Sequence, residues 1–177
     1  MNLTNINIGN NVPNEINIII EIPMYSKPIK YEIDKKTETL FVDRFLSTSM
    51  CYPSNYGYIP NTLSEDGDPI DALVITPIPL VSYSVITCRP IGLLEMHDEA
   101  GIDIKILTVP ITKITKYYKN IQSYKDLPES LLSSLKHFFQ HYKDLEENKW
   151  VTIGNWKNKN SAIQIILNGI KNFNNIK

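Results

Sequence analysis

Apolar residues recur along this chain with two different spacings, and the change from one to the other divides it. Up to about residue 116 they come in short runs: 16–22 (INIIIEI), 29–33 (IKYEI), 40–46 (LFVDRFL), 70–76 (IDALVIT), 84–92 (SVITCRPIG) and 102–109 (IDIKILTV). The runs are rich in Ile, Val and Phe and are separated by Pro, Gly, Asn and Asp, which predicts short strands. A later run, 149–153 (KWVTI), is placed to close the sheet. Two segments instead repeat every three or four residues, which predicts helices. Over 128–145 the stripe is Leu131, Leu135, Phe138, Tyr142 and Leu145; over 161–173 it is Ile163, Ile166, Leu167, Ile170 and Phe173. Pro128 suits a first helical turn, with Asp126 just upstream as a cap. Gly169 weakens the second helix by about 1 kcal/mol relative to Ala. Short strands followed by late helices predict an α+β fold, mainly β, built as a small barrel or strongly twisted sheet with flanking helices. One domain is expected over 1–177, with the polar, Asn-rich residues 1–15 as a loosely held arm.

Strand alternation assigns the charges to faces. Lys30 and Glu32 share one face of 29–33; Asp103 and Lys105 share one face of 102–109. These are either solvated faces and cross-strand pairs or the walls of a common pocket. Arg44, on the face of Val42 and Leu46, and Glu21, on the face of Ile19, favour the pocket, because a solvated face is not expected among apolar neighbours.

Composition narrows the partners. The 177 residues carry a formal net charge of -1, so no global field draws in nucleic acid. The longest apolar run near the N-terminus, Ile18-Ile19-Ile20, is cut by Glu21 and Pro23, far short of a membrane span. Cys51 and Cys88 have no CxxC spacing, which argues against zinc or a disulfide framework and fits a reducing cytoplasm.

The stretch EDGDPIDAL (65–73) sets Asp66, Asp68 and Asp71 against an apolar strand. Unpaired charges are costly there unless a metal ion or cationic groups offset them. An EF-hand loop starting at Asp66 fails, since Ile70, Asp71 and Pro77 stand where an oxygen ligand, Gly and Glu are needed. An Asp-Gly turn accounts for Asp66 and Gly67 but not for Asp71, which leaves a hard-cation site beside the plain turn. A second cluster holds Asp98, Glu99 and Asp103. Carboxylates with few His or Cys suit Mg²⁺ or Mn²⁺. His137 and His141 stand at i, i+4, as a packing or subunit contact or a zinc pair without the glutamate of HExxH. The stretch YPSNYGYIP (52–60) reads as a rigid turn-rich loop, or as a source of phenols for phosphate oxygens. A nucleic-acid module stacking bases on Tyr52, Tyr56 and Tyr58 is the rival, opposed by the acidic clusters.

Taken together, IEIP (20–23), KYE (30–32), DR (43–44), YPSNYGYIP, DGDPIDAL (66–73), MHDEAGIDIK (96–105) and HFFQHYKDLE (137–146) resemble the family I soluble inorganic pyrophosphatases of prokaryotic type. The resemblance implies an OB-like five-stranded β-barrel with flanking helices, assembled as a cytoplasmic homohexamer. It implies hydrolysis of pyrophosphate to two orthophosphates by metal-activated water, with several Mg²⁺ ions and Mn²⁺ or Zn²⁺ as substitutes. Carried over by position, Asp66, Asp71 and Asp103 would hold the tightest metal, Asp98 would join Asp103 for another, and Glu32 would serve a substrate-borne ion. Asp68 would be the base. Lys30, Arg44, Tyr56, Lys105, Tyr142 and Lys143 would hold phosphate oxygens, with Glu21 behind them.

Overall fold

The computed structural model describes residues 3–176. The strands are β1 (Ile16–Ile22), β2 (Ile29–Ile33), β3 (Leu40–Phe45), β4 (Asn55–Tyr58), β5 (Asp71–Val74), β6 (Val85–Asp98), β7 (Gly101–Pro110) and β8 (Val151–Asn158); the helices are α1 (Glu129–His141) and α2 (Lys159–Asn175). β1, β4, β5, β7 and β6 follow one another in hydrogen-bonded order, and β6 pairs back onto β1, so five strands form a ring. Only the β5–β7 contact in this ring is parallel. The fold is mainly β with two helices, a near-barrel.

The β1–β6 pairing closes the ring, through Ile16–Ile19 against Val85–Cys88. The run around 149–153 does not close the sheet: β8 lines up on the far half of β6, from Gly92 to Asp98. β6 therefore changes its outer neighbour partway along. Pro90, which has no N–H to donate, lies in the gap, and the β6–β7 register slips between Pro90 and Gly92. β1 lies inside this arrangement with Ile16, Ile18, Ile19, Ile20 and Ile22 all fully buried, which is why its run is apolar on both faces.

The stretch 52–60 is not simply a loop, because residues Asn55–Tyr58 form β4 between β1 and β5. Gly57 permits this. A Cβ there would lie 2.0 Å from the Ile19 carbonyl oxygen, so only glycine lets the two backbones approach.

α1 ends at His141, and Leu145 of the expected stripe is 68 % exposed beyond it. Asp126 does not cap α1; its carboxylate accepts from the Gln122 and Ser123 N–H groups in a preceding 3₁₀ turn. α2 begins two residues earlier than the periodicity predicts, because the Asn158 side chain caps it by accepting from Ser161 N. Leu167, assigned to its apolar stripe, is 40 % exposed, while Ala162, Ile166 and Gly169 are buried.

β2 and β3 form a separate antiparallel hairpin. Val42 is half exposed but Leu46 is buried, so the apolar face that Arg44 shares is buried at one end only, whereas the face of Glu21 is buried throughout. The arm expected over 1–15 begins with Met1 and Asn2, which lie outside the described residues. Beyond them, Leu3 is buried with Ile19, Ile33 and Tyr58, and Asn17 Nδ2 donates to the Asn7 carbonyl at 3.0 Å.

Candidate active site

One cleft of about 590 Å³ opens between the barrel, the hairpin and the turn after α1. Among the described residues, nine carboxylates and six cationic side chains line it, with no His or Cys. Glu21, Lys30, Glu32, Arg44, Tyr56, Asp66, Asp68, Asp71, Asp98, Asp103, Lys105, Tyr142 and Lys143 all line it, so residues from positions 21 to 143 are brought together.

Strand register does most of this. Asp71 opens β5 and pairs with Tyr58 on one side and Lys105 on the other. Asp103 and Lys105, two apart on β7, share a face. Lys105 Nζ, 3 % exposed as a residue, donates to Asp103 Oδ1 at 2.7 Å and to Asp71 Oδ2. Tyr56 OH donates to the same Asp71 oxygen at 2.5 Å, and Lys105 Nζ lies 3.2 Å from that phenol. Burial alone would lower the pKa of Lys105, but Asp71 and Asp103 outweigh it and hold it well above its ordinary value. For Asp103, burial and then the charge of Asp71 outweigh the lowering by Lys105, and its pKa is raised.

Asp66, Gly67 and Asp68 sit on the loop before β5, where Asp66 Oδ1 accepts from Asp68 N at 3.0 Å. Partial desolvation, then the charges of Asp66 and Glu32, push the Asp68 pKa up. At the far end of β6, Asp98 accepts from Lys143 Nζ at 2.8 Å. Burial pushes the Asp98 pKa up, but Lys143 and the Ala100 N–H more than reverse it. Lys143 also reaches Glu99 at 3.2 Å. The hairpin contributes Lys30, bonded to Glu32 and 3.4 Å from Asp43, and Arg44, whose Nη1 donates to Asp43 at 2.7 Å.

Glu21, 4 % exposed, ties the hairpin to the barrel by accepting from Ile33 N at 2.8 Å. Burial raises its pKa to about 7, against the opposing pull of Lys35. Lys35, not singled out by sequence, lines the cleft with Nζ 3.7 Å over the Tyr58 ring. Lys149 was missed too, and Glu99 was read only as part of a cluster. Isolated lysines in a lysine-rich chain carry no spacing signal.

The oxygen-only donor set suits a hard divalent cation rather than zinc. Among the described residues no three His, Cys, Asp or Glu converge to hold one ion as they stand. Lys105 pairs with Asp71 and Asp103, and Lys143 with Asp98 and Glu99. His137 and His141 stay outside the cleft lining, their rings 4.7 Å apart and His141 Nδ1 2.7 Å from Asp144. Tyr52, Tyr56 and Tyr58 are all buried, so they present no stacking platform for bases. Among the described residues no helix is long and apolar enough to cross a membrane.

Residues 18–174 match the family model described as inorganic pyrophosphatase. The chain is 56 % identical over 162 residues to an inorganic pyrophosphatase of Escherichia coli, covering 92 % of each chain. The solved structure of an inorganic phosphatase from Anaplasma phagocytophilum superposes with a TM-score of 0.94 at 49 % identity, covering 96 % of this chain and 99 % of that one. The inorganic pyrophosphatase of Thermus thermophilus superposes with a TM-score of 0.93 at 36 % identity, covering 98 % and 99 %. The chain belongs to the metal-dependent inorganic pyrophosphatase family, whose reaction is the hydrolysis of inorganic pyrophosphate.

Proposed function

We propose that this hydrolysis runs on several Mg²⁺ ions, with Asp68 as the general base and the cleft's cations as the phosphate grip. The observation that carries the reading is the convergence of nine carboxylates and six cations on one cleft, from segments far apart in sequence. Asp66, Asp71 and Asp103 would hold the tightest ion, Asp98 with Asp103 a further one, and Glu32 an ion arriving with substrate; Mn²⁺ or Zn²⁺ would substitute. Metal held there supplies Lewis acidity, lowering the pKa of water toward ~7 and neutralising phosphate charge.

The rest falls to the chain's own groups. Pyrophosphate is multiply anionic, so its barrier is largely electrostatic. Lys30, Lys105 and Lys143 act as point charges on its oxygens, Arg44 as a planar fork, and Tyr56 and Tyr142 as neutral donors. Their phenols stay protonated, because burial pushes the pKa of both up. Asp68 takes the proton of the attacking water. Its raised pKa brings it closer to neutrality, where a base is most effective. Glu21 holds the hairpin against the barrel. The assembly is a cytoplasmic homohexamer of single-domain chains over residues 1–177.

The test is phosphate release from pyrophosphate, with Mg²⁺ and with a chelator, and with ATP in parallel. Release is expected only from pyrophosphate and only with metal. Asp68→Asn should keep Mg²⁺ affinity while kcat falls by about 10²–10⁴. Undiminished turnover in that variant would take the base role away from Asp68. Sedimentation of the native protein checks the hexamer.

A further inference from the structure

The geometry points to Glu146 as a positioning residue for pyrophosphate, acting through Arg44. This rests on Arg44 being a phosphate ligand. Glu146 is not among the residues lining the cleft. It sits on the turn after α1, the same turn that presents Lys143, and its N–H donates to the Lys143 carbonyl at 2.9 Å. Its carboxylate oxygens lie 2.9 and 3.0 Å from Arg44 Nε, across 102 residues of sequence. The Glu146 side chain is 10 % exposed and that of Arg44 20 %, so solvent screens the pair only partly.

Arg44 needs such a partner. It stands on β3, in a hairpin outside the five-stranded ring, with half-exposed Val42 and exposed Phe45 beside it. A free arginine there would spread over many rotamers, and pyrophosphate would have to order it on binding. Glu146 takes Nε and Asp43 takes Nη1, which leaves Nη2, among the described residues, without a hydrogen bond and available for phosphate oxygens. Lys149 Nζ lies 3.9 Å from Glu146, beyond hydrogen-bond distance, so Arg44 is the partner this carboxylate holds. Glu146 sets the distance between the hairpin and the Lys143 turn, and with it the width of the phosphate grip.

The experiment is a double-mutant cycle on the full chain with Mg²⁺, reading KM, kcat and melting temperature for Glu146→Ala, Arg44→Ala and both together. Glu146→Ala should lower kcat/KM for pyrophosphate about 10- to 100-fold, mainly through KM. Added to Arg44→Ala it should cost nothing more. Glu146→Gln, which keeps an acceptor oxygen for Nε, should recover part of the loss; it replaces Glu146→Ala in the cycle should that variant not fold. An equal fall in kcat/KM with and without the arginine would overturn the inference and leave a structural salt bridge. So would an unchanged kcat/KM in Glu146→Ala while Arg44→Ala is impaired. An Arg44→Ala protein with normal kinetics would instead refute the phosphate-ligand role of Arg44 and take the inference with it.

Discussion

Lys105 holds its ammonium 2.7 Å from Asp103, with both side chains largely shielded from water. The lysine also bonds Asp71, so it neutralises carboxylates that are proposed metal ligands. Removing one partner of a buried ion pair typically costs about 3–5 kcal/mol, because the other charge is left unpaired. Lys105→Met in metal-free protein should therefore melt roughly 10 °C lower than the parent. Mg²⁺ should recover more stability in the variant than in the parent, since the ion takes over the lysine's role. Melting curves in chelator and in Mg²⁺ check this; equal Mg²⁺ gains in both proteins would count against it.

Glu21 makes folding pH-dependent. The fold raises its pKa from 4.5 to about 7, chiefly by burial. Between those values the folded chain holds a proton that the unfolded chain releases, so this contribution is full below the lower value and lost as pH rises through about 7. The effect is about 3 kcal/mol between the extremes. Glu21→Gln, neutral at every pH, should lack it. Urea unfolding of metal-free protein at pH 5 and pH 8 measures the difference, and parallel pH dependence in parent and variant would contradict the assignment.

Gly57→Ala should destabilise by about 3 kcal/mol, the upper end of the usual cost of overpacking. The added Cβ would meet the Ile19 carbonyl, part of a strand backbone that cannot swing aside. A denaturant midpoint within error of the parent would show that β1 and β4 can separate freely.

Tyr83 anchors the hairpin from the other side. Its backbone is left-handed at φ 70, its N–H donates to Ile20 at 2.7 Å, and its phenol accepts from Leu40 N at the start of β3. Tyr83→Phe keeps the ring and deletes that bond alone. Amide exchange at Leu40 should quicken about five- to tenfold while barrel amides such as Ile20 do not change. An unaltered Leu40 rate would mean that packing, not the phenol, holds the strand.

The acidic loop and the strands were legible in the sequence because their signals are local. Asp71 beside Ala72-Leu73-Val74 is a costly placement that calls for a partner, and alternation alone set Asp103 and Lys105 on one face. β4 was not legible, because Pro53, Gly57 and Pro60 look like turn residues until the close approach of β1 is known. Ring closure was hidden for a related reason. It depends on pairing segments such as Asn17 and Thr87, 70 residues apart, and no short-range pattern encodes that distance. Lys35, Lys149 and Glu146 enter the picture only through tertiary packing.

α2 rests its Gly169 directly on Ile70, where a Cβ would come 2.3 Å from Cδ1. The Gly169 carbonyl accepts from Leu63 N at 3.0 Å, and Asn172 donates to the Leu63 carbonyl at 3.4 Å, 109 residues away. The Asp66–Asp71 loop is thus braced by chain that the ribosome makes long after it. During synthesis these acids emerge early and stand without their brace until α2 has been translated and released, so a nascent chain lacking α2 carries the acidic motif without its final seating.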